Sequence, residues 1–262
     1  MISRLTPQIK ALILDMDGVL WKGNEPIGDL SKIFAGFAAR GLKVALATNN
    51  ATKSAQAFQE KLARYDVHVT TEQIVNSAGA VSALLHQAFP QGGPVYVVGE
   101  KGLLDSLAVY GFYPAEEGVL AVVAGLDRQF TYQKMRTAAL LIRKGIPFYG
   151  TNPDRTFPSP DGITPGAGSV LASIIAATDV QPIIAGKPEP FMLQLALQRL
   201  GTRPEETLAV GDRLDTDILG AQRAGLRTAL VLSGVTTPEE LQTWSPQPDL
   251  IAPTLSDLIF DH

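Results

Sequence analysis

Short, almost uninterrupted apolar runs alternate with longer amphipathic stretches along the chain. The runs at 11–14, 43–47, 95–98, 119–124, 147–149, 207–210 and 228–232 read as strands. They show no polar alternation, so they suit strands buried on both faces of a sheet. The stretches between them carry a helical period. Leu30, Ile33, Phe34 and Phe37 fall on one face of 30–40, with Gly41 beyond it. The stretches 53–64, 132–144 and 190–200 behave alike, the last opening at a proline and closing at Gly201. Strand–helix alternation over the whole length predicts an α/β fold, a doubly wound, mainly parallel sheet. The Pro- and Gly-rich stretch from Asn152 to Gly168 reads as a long loop.

Composition narrows the chemistry. The 26 acidic and 22 basic residues leave a formal charge of −4. There is no cationic excess to neutralise a phosphate backbone, and no nucleic-acid partner is expected. Cysteine is absent, which excludes disulfides, thiol catalysis and thiolate metal sites. Three histidines, His68, His86 and His262, are too few for a multi-histidine metal centre. The first residues lack a signal-peptide core, and no apolar run approaches the roughly 20 residues of a membrane span. A soluble, cytoplasmic protein with no membrane partner is the expectation.

Four polar clusters sit where apolar runs end: Asp15-Met16-Asp17-Gly18, Thr48-Asn49-Asn50, Gly186-Lys187-Pro188, and Gly211-Asp212 continuing to Asp217. In open α/β sheets, ligands bind beyond the carboxyl ends of the strands, so all four clusters are expected at one sheet edge. Asp15, Asp17 and Asp212 are hard oxygen donors that repel one another unless a cation lies among them. Mg²⁺ fits such donors. A lysine and a threonine hydroxyl beside the metal would hold an anion. That set favours phosphoryl transfer, in which a carboxylate can attack phosphorus and form an aspartyl-phosphate.

These clusters, DMDGVLW at 15–21, TNN at 48–50, GKP at 186–188 and GDRLDTD at 211–217, resemble the four motifs of the haloacid dehalogenase (HAD) superfamily, in order. Trp21, the doubled asparagine and the TNPD at 151–154 resemble its NagD-type, p-nitrophenylphosphatase branch. The resemblance implies a discontinuous HAD-like core, 1–78 and 180–262, interrupted by an inserted α/β cap of the C2 type at 79–179. It implies Asp15 as nucleophile and metal ligand. Asp17 would be the general acid and base, binding Mg²⁺ through its backbone carbonyl. Thr48 and Asn49 would hold the phosphoryl oxygens, and Lys187 would neutralise charge and restrain Asp15. Asp212 would complete the metal shell, with Asp217 supporting it from behind. The same resemblance implies substrate contact from Asn152 and Asp154 and a homodimer through the cap.

Each cluster also has a plainer reading. Thr48, Asn49 and Asn50 are good helix caps. Asp215 and Asp217 suit the first turn of a helix, and Asn152 and Asp154 suit a turn with no ligand. A phospho-accepting receiver shares an acidic pair, a threonine and a lysine at strand ends, but needs only about one small domain. A phosphomutase or dehalogenase on the same scaffold is the other alternative, and dehalogenation needs no cation. The ordered, strand-placed pattern favours an Mg²⁺-dependent phosphatase acting on a small organic phosphate monoester.

Overall fold

Leu12 and its neighbours Ala11, Ile13 and Leu14 are buried to within 1% of complete exclusion, as a strand covered on both faces requires. A computed structural model of the chain describes residues 1–159 and 162–260. The first strand is β1 (Ala11–Leu14), followed by the hairpin β2 (Trp21–Lys22) and β3 (Glu25–Pro26), α1 (Leu30–Ala39), β4 (Lys43–Thr48), α2 (Ala55–Ala63) and β5 (Ile74–Asn76). Next come α3 (Ser77–Ala88), β6 (Gly93–Val98), α4 (Lys101–Val109), β7 (Phe112–Pro114), β8 (Val122–Ala124), α5 (Tyr132–Arg143) and β9 (Phe148–Gly150). They continue into β10 (Thr156–Ser159), β11 (Gly162–Pro165), α6 (Ala167–Thr178) and β12 (Ile183–Ile184). The chain then runs through α7 (Phe191–Leu200), β13 (Thr207–Gly211), α8 (Leu219–Arg223), β14 (Arg227–Val231), α9 (Pro238–Thr243), β15 (Leu250–Ala252) and α10 (Leu255–Ile259).

Two compact units divide these elements. The first comprises Met1–Thr48, Ala55–Val75 and Lys187–His262; the second comprises Asn49–Ser54 and Asn76–Gly186. The first carries a sheet in the order β15-β14-β13-β1-β4-β5. Every pairing from β15 to β4 is parallel. Ala11 stands opposite both Thr207 and Lys43, so β1 is central and takes its two neighbours from distant parts of the chain. Leu12, Leu14, Phe37, Leu46, Leu62, Leu208 and Val231 join one buried core. The helices are punctuated as their residues dictate. Asp29 caps α1 by accepting from the Lys32 amide at 3.0 Å. Gly201 ends α7 at φ +61°, a left-handed conformation that costs glycine little.

The second unit carries its own parallel sheet, β12-β9-β8-β6-β7, and its own core around Val98, Val122, Ile142, Phe148 and Ile174. Its main segment runs from Asn76 through Gly186, and Ile183 and Ile184 belong to it by pairing with Tyr149 and Gly150. The stretch read as a long loop contains the antiparallel hairpin β10–β11, with Thr156 opposite Pro165 and Phe157 opposite Thr164. Prolines in that run conceal the strand signal, yet a two-stranded ribbon has open edges where a missing N–H is tolerated. Among the described residues, no helix is long and apolar enough to cross a membrane.

Candidate active site

Three adjacent parallel strands, β13, β1 and β4, deliver their carboxyl ends side by side. Asp15 is the first residue after β1, and its amide continues the ladder by donating to the Val210 carbonyl at 2.8 Å. Thr48 is the buried last residue of β4, and Asp212 is the first residue after β13. Lys187 lies just before α7, which packs on β4 and β1.

The Lys187 ammonium is the hub. Its Nζ donates to Asp15 Oδ1 at 2.6 Å, to Asp217 Oδ1 at 2.5 Å and to the Ala47 carbonyl at 3.0 Å. Only 4% of its side chain is exposed. Burial works against its charge, but the carboxylates of Asp15 and Asp217 outweigh that cost and hold its pKa above the usual lysine value. The lysine is therefore a permanent cation. Asp217 reaches this point from a π-helical turn, Leu214–Ile218. Its second oxygen accepts from the backbone amides of Asp212 and Arg213 at 3.2 and 3.1 Å.

Asp15, Asp212 and Asp217 bring one carboxylate oxygen each within 4.8 Å of one another. Burial pushes Asp15 up, Lys187 pulls against it, and the charges of Asp217 and Asp212 push it further up. Burial, followed by the charge of Asp217, pushes Asp212 up to about 7, against the Val235 amide and two cations. Asp212 Oδ2 accepts from the Val235 amide at 2.8 Å, whereas Asp212 Oδ1 is buried with no hydrogen-bond partner. An orphaned, buried carboxylate oxygen in a group of three acids fits a divalent cation, which would satisfy that oxygen and offset the mutual repulsion.

Glycine lets the backbone close around Asp212. Gly18 has φ +82°, and a Cβ there would lie 2.5 Å from the Asp212 carboxylate. A Cβ on Gly234 would overlap the same side chain. Ser233 Oγ donates to the Gly18 carbonyl at 2.7 Å. The loop 232–236 thus holds both the Asp212 carboxylate and the strand-β1 turn. Sequence reading did not single out Ser233, Gly234 or Val235. Their signal was a Ser-Gly pair following the apolar run at β14, on the same sheet edge.

Asp17 stands apart from the three-carboxylate group. It is exposed, and its Oδ1 accepts from the Trp21 indole Nε1 at 2.9 Å.

Asn49, Asn152 and Asp154 belong to the second unit. Asn49 Nδ2 donates to both oxygens of Asp154 at 3.2 and 3.1 Å. Asn152 Nδ2 donates to the Asn49 carbonyl at 2.7 Å, which also accepts from Ser77 Oγ at 2.5 Å. Asn152 Oδ1 in turn accepts from the Asp154 amide at 3.1 Å. The TNPD turn is therefore built around Asn49. Asn50 accepts from the amide and hydroxyl of Thr52 at 3.0 and 2.8 Å, the turn-forming use that asparagine favours.

Comparison with known proteins supplies the context. The haloacid dehalogenase-like hydrolase family matches residues 12–113, and the HAD-hydrolase-like family matches residues 184–258. The chain is similar to the 5'-nucleotidase YutF of Bacillus subtilis, 33% identical over 250 residues, covering 95% of this chain and 97% of that protein. It superposes on NagD from E. coli K-12 with a TM-score of 0.88 at 32% identity, covering 95% and 98% of the two chains. It superposes on the 4-nitrophenylphosphatase of Thermotoga maritima with a TM-score of 0.91 at 32% identity, covering 96% of each. The two family matches fall on the segments that supply Asp15, Lys187, Asp212 and Asp217, and the likeness extends over nearly the whole length, so the chain belongs to the haloacid dehalogenase-like hydrolases as a NagD-like phosphoric monoester hydrolase.

Proposed function

We propose that the protein is an Mg²⁺-dependent phosphatase that hydrolyses a small organic phosphate monoester through an aspartyl-phosphate on Asp15. The observation that carries this reading is the pairing of Lys187 with Asp15 at 2.6 Å beside a buried Asp212 oxygen that has no partner. A carboxylate fixed by a permanent cation is oriented for attack, and the adjacent acids are left to a metal.

Asp15 would attack phosphorus, forming an O–P bond as the bond from phosphorus to the ester oxygen breaks. Asp17 would give its proton to the departing oxygen, releasing an alcohol. Asp17, now ionised, would take a proton from a water that attacks the same phosphorus. The Asp15–phosphorus bond then breaks, releasing inorganic phosphate and restoring both carboxyl groups. Lys187, Thr48 and the Asn49 amide would meet the charge on the transferring oxygens. Asp15, the backbone carbonyl of Asp17 and Asp212 would hold Mg²⁺, which when bound offsets the carboxylate repulsion and polarises the phosphoryl oxygen. Asp217 serves this group through Lys187 and the 212–213 amides.

The second unit, with its own sheet and core, is assigned the part of the family's inserted cap and the selection of the leaving group. Asn152 and Asp154 remain candidates for substrate contact. Their observed bonds to Asn49 also support a role in shaping the segment after Thr48.

Rapid acid quench during turnover, followed by borohydride reduction, tests the central step. An acyl phosphate on Asp15 would be reduced to homoserine at position 15, visible by peptide mass. Homoserine at another aspartate, or none with turnover under way, overturns the nucleophile assignment.

A further inference from the structure

We infer that Trp21 is a positioning residue for Asp17, holding its carboxylate through the indole N–H while α2 and Tyr65 fix the indole. The inference rests on the proposed acid role of Asp17 and adds what aims that acid.

Asp17 is exposed, and an exposed aspartate rotates freely about χ1 and χ2 unless something holds it. Among the described residues, the Trp21 indole is its side chain's one hydrogen-bond partner, at 2.9 Å. Indole nitrogen is a donor only, so the contact has one sense: the N–H points at the carboxylate. The backbone enforces the approach. Gly18 N donates to the Trp21 carbonyl at 2.8 Å, and the amides of Leu20 and Trp21 both reach the Met16 carbonyl, at 2.8 and 3.3 Å. A tight turn thus places position 21 beside position 17, where an isolated bridge joins them.

The indole is itself immobilised. It is 1% exposed, although it sits in a two-residue strand that alone would hold little. Lys61 Nζ lies 3.7 Å from the centroid of its ring and also donates to the Gly23 carbonyl at 2.8 Å. The Tyr65 ring lies 6.2 Å from it, and the Tyr65 hydroxyl donates to the Asn24 carbonyl at 2.5 Å. One ammonium and one phenol therefore clamp the β2–β3 hairpin and the indole at once. An aromatic ring filling this place would suffice for packing; the N–H directed at Asp17 is what packing does not require.

A misaimed general acid matters most when the departing oxygen is basic. The test compares kcat/KM for glycerol 2-phosphate, an alkyl ester, with that for p-nitrophenyl phosphate, whose leaving group needs little protonation. Trp21→Phe keeps a ring under Lys61 and removes the N–H. The expected result is a fall of about tenfold or more for the alkyl ester, carried by kcat with KM little changed, and less than about threefold for the nitrophenyl ester. Lys61→Met, which keeps the N–H but loosens the ring, should show the same selectivity in smaller measure. Equal losses on both esters in both variants, or a change confined to KM, overturn the positioning role.

Asp17→Asn separates the two layers. If it loses the alkyl ester selectively while Trp21→Phe does not, Asp17 is the acid and Trp21 does not aim it. If Asp17→Asn shows no selectivity, the acid role fails and the inference falls with it.

Discussion

Lys187 Nζ and Asp15 Oδ1 meet at 2.6 Å although 172 positions separate them in sequence. The same ammonium holds Asp217, so one buried cation stands between two carboxylates. Removing one member of a buried pair leaves the others uncompensated and costs on the order of 3–5 kcal/mol. Lys187→Met is expected to lower Tm by on the order of 10 °C and activity by at least about a hundredfold. The stability loss should shrink at acid pH, where Asp15, already pushed up by burial, takes up a proton. Thermal unfolding at two pH values, beside p-nitrophenyl phosphate turnover, checks both parts.

Asp15→Asn replaces the proposed nucleophile's carboxylate with an amide of the same shape. Turnover should fall by at least about a thousandfold, with circular dichroism and Tm close to wild type because the neighbouring carboxylates repel one another less. Substantial residual turnover with p-nitrophenyl phosphate would show that another group attacks phosphorus.

The metal prediction has a readout that needs no substrate. Binding to the folded state alone raises stability by RT ln(1 + [L]/Kd), so Mg²⁺ should raise the Tm of chelated protein and restore activity lost to the chelator. Asp212→Asn should keep or raise the Tm of metal-free protein, because burial and the charge of Asp217 penalise the Asp212 carboxylate. It should also abolish the Mg²⁺-induced shift. An unchanged Mg²⁺ response in that variant places the metal elsewhere.

The pH dependence of metal-free protein follows from the same residue. Burial pushes Asp212 up to about 7 from an unfolded value near 3.8. Between those values the folded state binds more protons than the unfolded one, so stability falls as pH rises through that window. Asp15, pushed up in the same direction, adds to the slope. Metal-free Tm should therefore decline from about pH 4 toward pH 7, the reverse of an aspartate stabilised by a salt bridge. Saturating Mg²⁺ should flatten the decline. Differential scanning fluorimetry across that range would show it, and a metal-free Tm that climbs toward neutrality would contradict it.

Gly18 has both a positive φ and a Cβ position 2.5 Å from the Asp212 carboxylate. Gly18→Ala would carry about 1–2 kcal/mol of backbone strain and displace Asp212 as well. A Tm loss of several degrees, with a weaker Mg²⁺ response, is expected. Wild-type values for both would mean that the loop yields freely.

The strand-end residues were legible because a buried parallel strand leaves little doubt where it stops. Asp15 and Asp212 are read directly from the apolar runs before them, and Thr48 from the end of β4. What escaped sequence reading depends on contacts between distant segments or on unusual backbone. Asp217 is expected behind the metal shell from the family resemblance, but its bond to Lys187 depends on a π-helical turn that spacing alone does not reveal. Ser233 and Val235 act through a hydroxyl and an amide, groups that no spacing rule reveals. Trp21 was noticed as part of a motif, yet the direction of its N–H is a matter of side-chain geometry. The β10–β11 hairpin was hidden by prolines, and Ile183–Ile184 is too short a run to declare which sheet it joins.

The strand order has a consequence for how the chain is made. Ala11 pairs with Lys43 on one side and with Thr207 on the other. On the ribosome, β4 soon follows β1, while β13 follows only after the whole second unit has been synthesised. Throughout that interval β1 presents an open edge with unpaired backbone groups, the kind of surface that invites pairing with other chains. The nascent chain already contains Asp15 and Thr48 but lacks Lys187, Asp212 and Asp217. The centre is thus assembled only after the second unit has been made, when β13 slots beside β1 and closes the gap in the sheet.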